Sequence, residues 1–192
     1  MNKLTQHTGV LLLFLMIACT HPQQEEATTT TTKKTGWQEE FDQQLQLNGH
    51  RNWILVVDKA FPQQPGMNII NTNEKLLPVL ETVLKKIQGS THVKPVVFND
   101  AELQYITDSL APGANIYKEQ LKKTLGTVQS TPLLHDTVFV KMDKASKLFS
   151  ITVLKTEEVI PYSSVFIQLD CAYWEGEKEK QLRQIMQSAN NK

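Results

Sequence analysis

Residues 48–62 read NGHRNWILVVDKAFP. Trp53 to Val57 is an unbroken apolar run, rich in β-branched residues and bounded by polar ones. Five such residues are too few for a helix and suit a strand buried on both faces. Asn48-Gly49 before it is a helix stop, and the Phe61-Pro62 pair after it opens a loop. A buried strand of this kind needs covering layers, and the flanking sequence supplies them. Trp37, Phe41, Leu45 and Leu47 recur at helical spacing among Glu and Gln, predicting a helix over 37–47. Residues 60–68, with two prolines and a glycine, read as a loop. Residues 73–87 read as a helix with Leu76, Leu77, Leu80, Leu84 and Ile87 on its apolar face, Asn73 as cap and Pro78 in the first turn.

Further on, KPVVFN (94–99) predicts a strand. Residues 100–110 predict a helix. Residues 115–126 predict another, capped by Asn115 and stopped by Gly126. DTVFVKM (136–142) alternates as a strand, KLFSITVL (147–154) reads as the next, and SSVFIQLD (163–170) as the last. The charged tail, 175–192, predicts a helix at least as far as Met186. Strands alternating with helices point to an α/β fold, a layered sheet with flanking helices. The 192 residues form one domain over 37–174, with appendages at both ends.

The N-terminal appendage is a targeting segment. Lys3 precedes an apolar run from Val10 to Ala18, too short to span a bilayer and the right length for a signal-peptide core. The run ends in small Ala18 before Cys19. That pattern predicts a lipoprotein-type signal over 1–19, with Cys19 acylated; an ordinary secretory signal that contains a cysteine is the other reading. Residues 20–36, THPQQEEATTTTTKKTG, hold no aliphatic side chain larger than Ala27 and read as a flexible Thr-rich tether. The expected location is therefore extracytoplasmic, lipid-anchored to a bacterial membrane. An acylated Cys19 leaves Cys171 without a partner and reads it as a small buried residue; a Cys19–Cys171 disulfide is the alternative for an unlipidated chain.

Composition narrows the function. Lys+Arg and Asp+Glu are both 20, so the chain lacks the basic excess of a general nucleic-acid binder. Two cysteines allow no zinc-type spacing. The polar residues that stand out sit at strand ends: His50 before 53–57, Asp58 just after it, and Tyr162 before the last strand. Taken alone, His50 is as readily a solvated residue of a helix stop, Asp58 a loop cap and Tyr162 an edge-packed ring. The strand separates His50 from Asp58 by roughly 20–25 Å if extended. The two share a site only if the chain folds back or a second subunit supplies one of them.

Gly49-His50, ILVVD (54–58), Phe61-Pro62 and EEVIPYSSVFIQL (157–169), in this order and spacing, resemble the D-ribose pyranase / L-fucose mutarotase family over roughly 41–170. The resemblance implies interconversion of the anomers or ring forms of a free monosaccharide, with no cofactor and no metal. It also implies a ring-shaped homo-oligomer with sites at subunit contacts. It assigns proton transfer to His50 as the catalytic residue, and the holding of sugar hydroxyls to Asp58 and Tyr162. Imidazole suits the first role because it titrates near neutral pH. The sequence departs from the family at Asn52, where an Asp is usual. It departs at Met142, aligned with a strand-end His or Tyr, and at Ser164, where an Asn is usual. These departures motivate a rival reading, a sugar- or small-ligand-binding lipoprotein without turnover. A third reading is a structural lipoprotein that keeps only the scaffold.

Overall fold

A computed structural model describes residues 36–190, so the expected signal, Cys19 and nearly all of the tether lie outside the described residues. One six-stranded sheet runs through the domain. Its strands in chain order are β1 (Trp53–Val57), β2 (Met67–Asn71), β3 (Val93–Asp100), β4 (Ser130–Leu133), β5 (Ile151–Lys155) and β6 (Val165–Cys171), and their spatial order is β2-β5-β1-β6-β3-β4. Only β6 runs against its neighbours; the other strands are parallel to one another. β1 is central and all five of its residues are buried, which accounts for its continuous apolar run.

Alternation along the strands feeds two cores. Ile54 and Val56 of β1, with Val165, Ile167 and Leu169 of β6, face α1 (Trp37–Leu47), α2 (Leu76–Gln88) and α3 (Ala114–Leu125). Trp53, Leu55 and Val57, with Ile151, Val153 and Phe166, face α4 (His135–Ser146) through Val138 and Met142. α2 buries Leu76, Val79, Leu80, Val83, Leu84 and Ile87 along one stripe. Full burial of each such side chain stabilises the fold by about 1.5–3 kcal/mol before ordering costs. The layered α/β architecture is the expected one.

Several local expectations are corrected. Residues 136–142 are helix, not strand. Val138 and Met142, four apart, are buried while Val140 between them is exposed, so the burial period is helical and the β-branched alternation is incidental. The strand that precedes it is β4, and β2 begins within the loop predicted over 60–68 and runs three residues past its end. Both are edge strands with few buried residues, and β4 contains Pro132. The helix expected over 100–110 is a single 3₁₀ turn, Ala101–Tyr105, because only Leu103 there is buried and Tyr105 is exposed. α2 starts at Leu76, since Asn73 takes φ 56° and lies outside the helix. α3 starts at Ala114 after Gly113 at φ 88°. Its start is held by Asp108, whose Oδ1 accepts the Asn115 N–H at 2.9 Å, so Asn115 is not the cap. Gly126 ends it as expected. Leu47 is exposed rather than part of the α1 stripe.

The tail forms α5 (Gly176–Asn190), longer than its minimum expectation and with no buried residue. Cys171 is a free thiol, half-buried rather than buried. No helix among the described residues is long and apolar enough to cross a membrane.

Candidate functional site

The parallel strands converge their carboxyl ends at one pole, where α/β sheets generally place ligands. Asp58 follows β1, Asp100 ends β3, and His135 opens α4 two residues after the end of β4. β6 runs the other way, so its entry segment, Tyr162 to Ser164, reaches the same pole. A cavity of about 290 Å³ opens there, between Asp58, His135 and Tyr162, with Phe61, Pro62 and Phe139 as apolar walls. That is near the lower limit of small-molecule sites, about 300 Å³.

Each polar group is held by its surroundings. The Ser164 hydroxyl accepts the Asp58 N–H at 3.1 Å and donates to Asp58 Oδ2 at 2.8 Å, while Oδ1 accepts the Ala60 N–H at 2.9 Å. Both carboxylate oxygens are thereby fixed, and each keeps a lone pair for a ligand. The loop before β6 is tied down by Glu158, whose Oε1 accepts the Val159 and Ile160 N–H groups at 2.9 and 3.2 Å. Tyr117 ties it from α3, donating its hydroxyl to the Ser163 carbonyl at 2.7 Å. Burial, then Glu158, push the Tyr117 hydroxyl pKa far up, so it stays a donor. Tyr162 itself sits at φ 60°, a left-handed conformation that costs a bulky residue about 1–3 kcal/mol. The constrained loop sustains it, and it turns the ring toward His135.

His135 is the group the sequence reading missed. Its backbone N–H is taken by the Glu102 carboxylate, at 3.0 and 3.1 Å, at the start of α4 where a negative charge is favoured. Its ring meets Phe139 and Tyr162 edge-on, with centroids 4.8 and 5.3 Å away. Nδ1 lies 3.2 Å from Oδ1 of fully buried Asp100. The distance is that of an ion pair, but the contact is off the line of a hydrogen bond, and neither Asp100 oxygen has an aligned partner. Burial pushes the Asp100 carboxyl up from 3.8 to about 6, against His135, which lowers it; Glu102 and Asp58 add to the rise. A signal for His135 was present. It follows a short strand much as Asp58 follows β1, but Ser130–Leu133 carries no hydrophobic strand pattern in the sequence. Met142, the aligned position, is buried in the core beneath α4.

The raised Asp100 pKa has a consequence for stability. Between pH 3.8 and about 6 the folded chain holds this proton and the unfolded chain has released it, so stability falls as pH rises through that window. Asp100→Asn, neutral throughout, is expected to gain on the wild type over the same window and hold a constant advantage above it. Parallel Tm-versus-pH curves for the two proteins would contradict this.

Of the residues singled out in the sequence, Asp58 and Tyr162 meet at this cavity. His50 does not join them within one chain. It is exposed in the turn before β1, at the far end of a strand that spans roughly 17 Å. It lines a separate groove of about 680 Å³ with Arg51, Asp170 and Trp174. Asn52 shapes that turn, its Oδ1 accepting the Gly49 N–H at 2.8 Å. The His50 groove is larger, as is a cavity of about 500 Å³ between α2 and α3. Neither gathers a histidine and carboxylates at the carboxyl ends of the strands. Among the described residues, no group of three or more His, Cys, Asp or Glu is placed to hold a metal ion.

No protein-family model and no curated protein sequence matches the chain. Solved structures do. Bacillus subtilis RbsD, complexed with D-ribose, is 20% identical, with 71% of this chain and 95% of that chain covered and a TM-score of 0.48. FucU from Bifidobacterium longum is 14% identical, with 68% of this chain and 92% of that chain covered and a TM-score of 0.41.

Proposed function

We propose that the cavity at the carboxyl ends of β1, β3 and β4 binds a monosaccharide and interconverts its anomers by proton transfer. The meeting of Asp58, Tyr162 and His135 around one small cavity carries this reading. The Asp58 carboxylate and the Tyr162 hydroxyl are suited to sugar hydroxyls, and Phe61 and Phe139 to the apolar faces of a sugar ring. Anomer exchange needs a base to take the proton of the anomeric hydroxyl and an acid to give one to the ring oxygen. The C1–O5 bond then breaks, the open-chain aldehyde turns, and reversing both transfers closes the ring on its other face. An imidazole can serve in either direction. His135 is the proton-transfer group that one chain offers. His50 enters the site from a second copy, as the resemblance in the sequence implies, and supplies the other.

Saturation-transfer NMR of the full chain with a panel of free monosaccharides tests this. Exchange faster than in buffer for at least one sugar is expected, and buffer rates across the panel would refute turnover. A sugar that raises Tm without exchanging anomers would establish the rival reading, a binding protein. The proposed anchor is tested separately. Cys19→Ala should move the protein from the membrane fraction to the soluble one, and unchanged partitioning would exclude acylation at Cys19.

A further inference from the structure

Asp100 is in an unusual position for a carboxyl group. It is fully buried at the end of β3, and neither oxygen has an aligned hydrogen bond. An unpaired buried carboxylate is costly, and native chains carry few such groups without a use for them. The charged and titratable groups that face it are few. Glu102 on the 3₁₀ turn and Asp58 after β1 oppose its ionisation, and His135 on α4 alone favours it. Nδ1 of His135 is 3.2 Å away. The other side of that ring borders the cavity, and the side chain is 38% exposed. Glu102 fixes the backbone of His135 while Phe139 and Tyr162 wall the ring, so the imidazole is held with its Nδ1 beside the carboxylate.

We propose that Asp100 is a positioning residue that holds the Nδ1 proton of His135, so that Nε2 of the neutral ring, the atom able to accept a proton, faces the cavity. The proposal rests on reading His135 as the proton-transfer group. A carboxylate in this place selects one of two imidazole tautomers and one ring orientation, and it steadies the imidazolium once Nε2 has taken a proton. It also gives the polar pole of the sheet a reason to keep a buried acid.

The test is ¹⁵N NMR of the imidazole in the full chain, with His135 assigned by its loss in His135→Gln. At neutral pH the neutral ring is expected to carry its proton on Nδ1, and Asp100→Asn should move the population toward the Nε2–H tautomer. Where a sugar is turned over, kcat should fall roughly a hundredfold in Asp100→Asn with KM unchanged, and Asp100→Glu should recover part of it. A wild-type ring protonated on Nε2, or one whose tautomer ignores Asp100→Asn, overturns the proposal. Should Asp100→Asn fail to fold, ¹³C titration of the Asp100 carboxyl decides. Its midpoint near 6 should rise in His135→Gln, because the group that lowers it is gone, and an unmoved midpoint overturns the pairing. If no sugar is turned over, the proposed function fails, yet these NMR readouts still settle whether Asp100 and His135 act as a pair.

Discussion

Replacing His135 with glutamine is expected to slow anomer exchange by about 10²–10⁴-fold, the usual contribution of one positioned acid–base group. Glutamine keeps most of the bulk against Phe139 and Tyr162 and leaves the backbone N–H that Glu102 binds. It removes the imidazole, and with it the nitrogen assigned to proton transfer. Sugar binding through Asp58 and Tyr162 should persist, so kcat falls while KM holds nearly steady. His50→Ala separates two versions of the site. If one chain suffices, the substitution leaves exchange unchanged, since His50 lies at the far end of β1. If a second copy completes the site, it is as damaging as His135→Gln. In that case mixing the two inactive variants should restore part of the rate, because some sites then draw an intact histidine from each copy. Full activity in His135→Gln would remove the proton-transfer role from α4 altogether.

The sequence showed one end of this site well and the other poorly, for physical reasons. β1 and β6 are central strands, buried on both faces, so their apolar runs are long and their ends marked. Asp58 and Tyr162 could be read from those ends. β4 is an edge strand of four residues whose interior is Thr131 and Pro132, and no hydrophobic pattern announces it. Without β4, His135 had no strand end to stand on, and DTVFVKM next to it imitated a strand through Val138, Val140 and Met142. Helical burial of Val138 and Met142 depends on contact with the sheet, which local propensity does not encode. Asp100 stands in the sequence at the start of a segment that reads as a helix. Its burial was not legible, because burial there is set by the neighbouring β4 and by α4 above it. The strand length between His50 and Asp58 was informative from the start: it separates them in the folded chain as it did on paper.

Phe166→Ala is expected to destabilise the domain by about 3–5 kcal/mol, a large share of the roughly 5–15 kcal/mol that holds a domain folded. Phe166 is fully buried and stands inside a row that crosses the sheet on one face, with a cross-strand partner on each side. Ile69, Val153, Leu55, Phe166 and Phe98 are cross-strand partners in succession. Such pairs are the units of sheet stability, and truncating an interior member leaves a cavity that β-strands fixed on both sides cannot collapse to fill. The same face carries α4 through Val138 and Met142, so the cavity opens beneath the helix that begins with His135. Loss of Phe166 should therefore loosen α4 before it unfolds the sheet. Hydrogen exchange would then rise along 135–146 more than along α2, whose contacts lie on the opposite face. Urea unfolding gives the magnitude. A loss below about 1 kcal/mol, with exchange in α4 unchanged, would show that this face tolerates a void. The geometry of His135 would then owe less to the sheet beneath it than to Glu102 and the aromatic walls beside it.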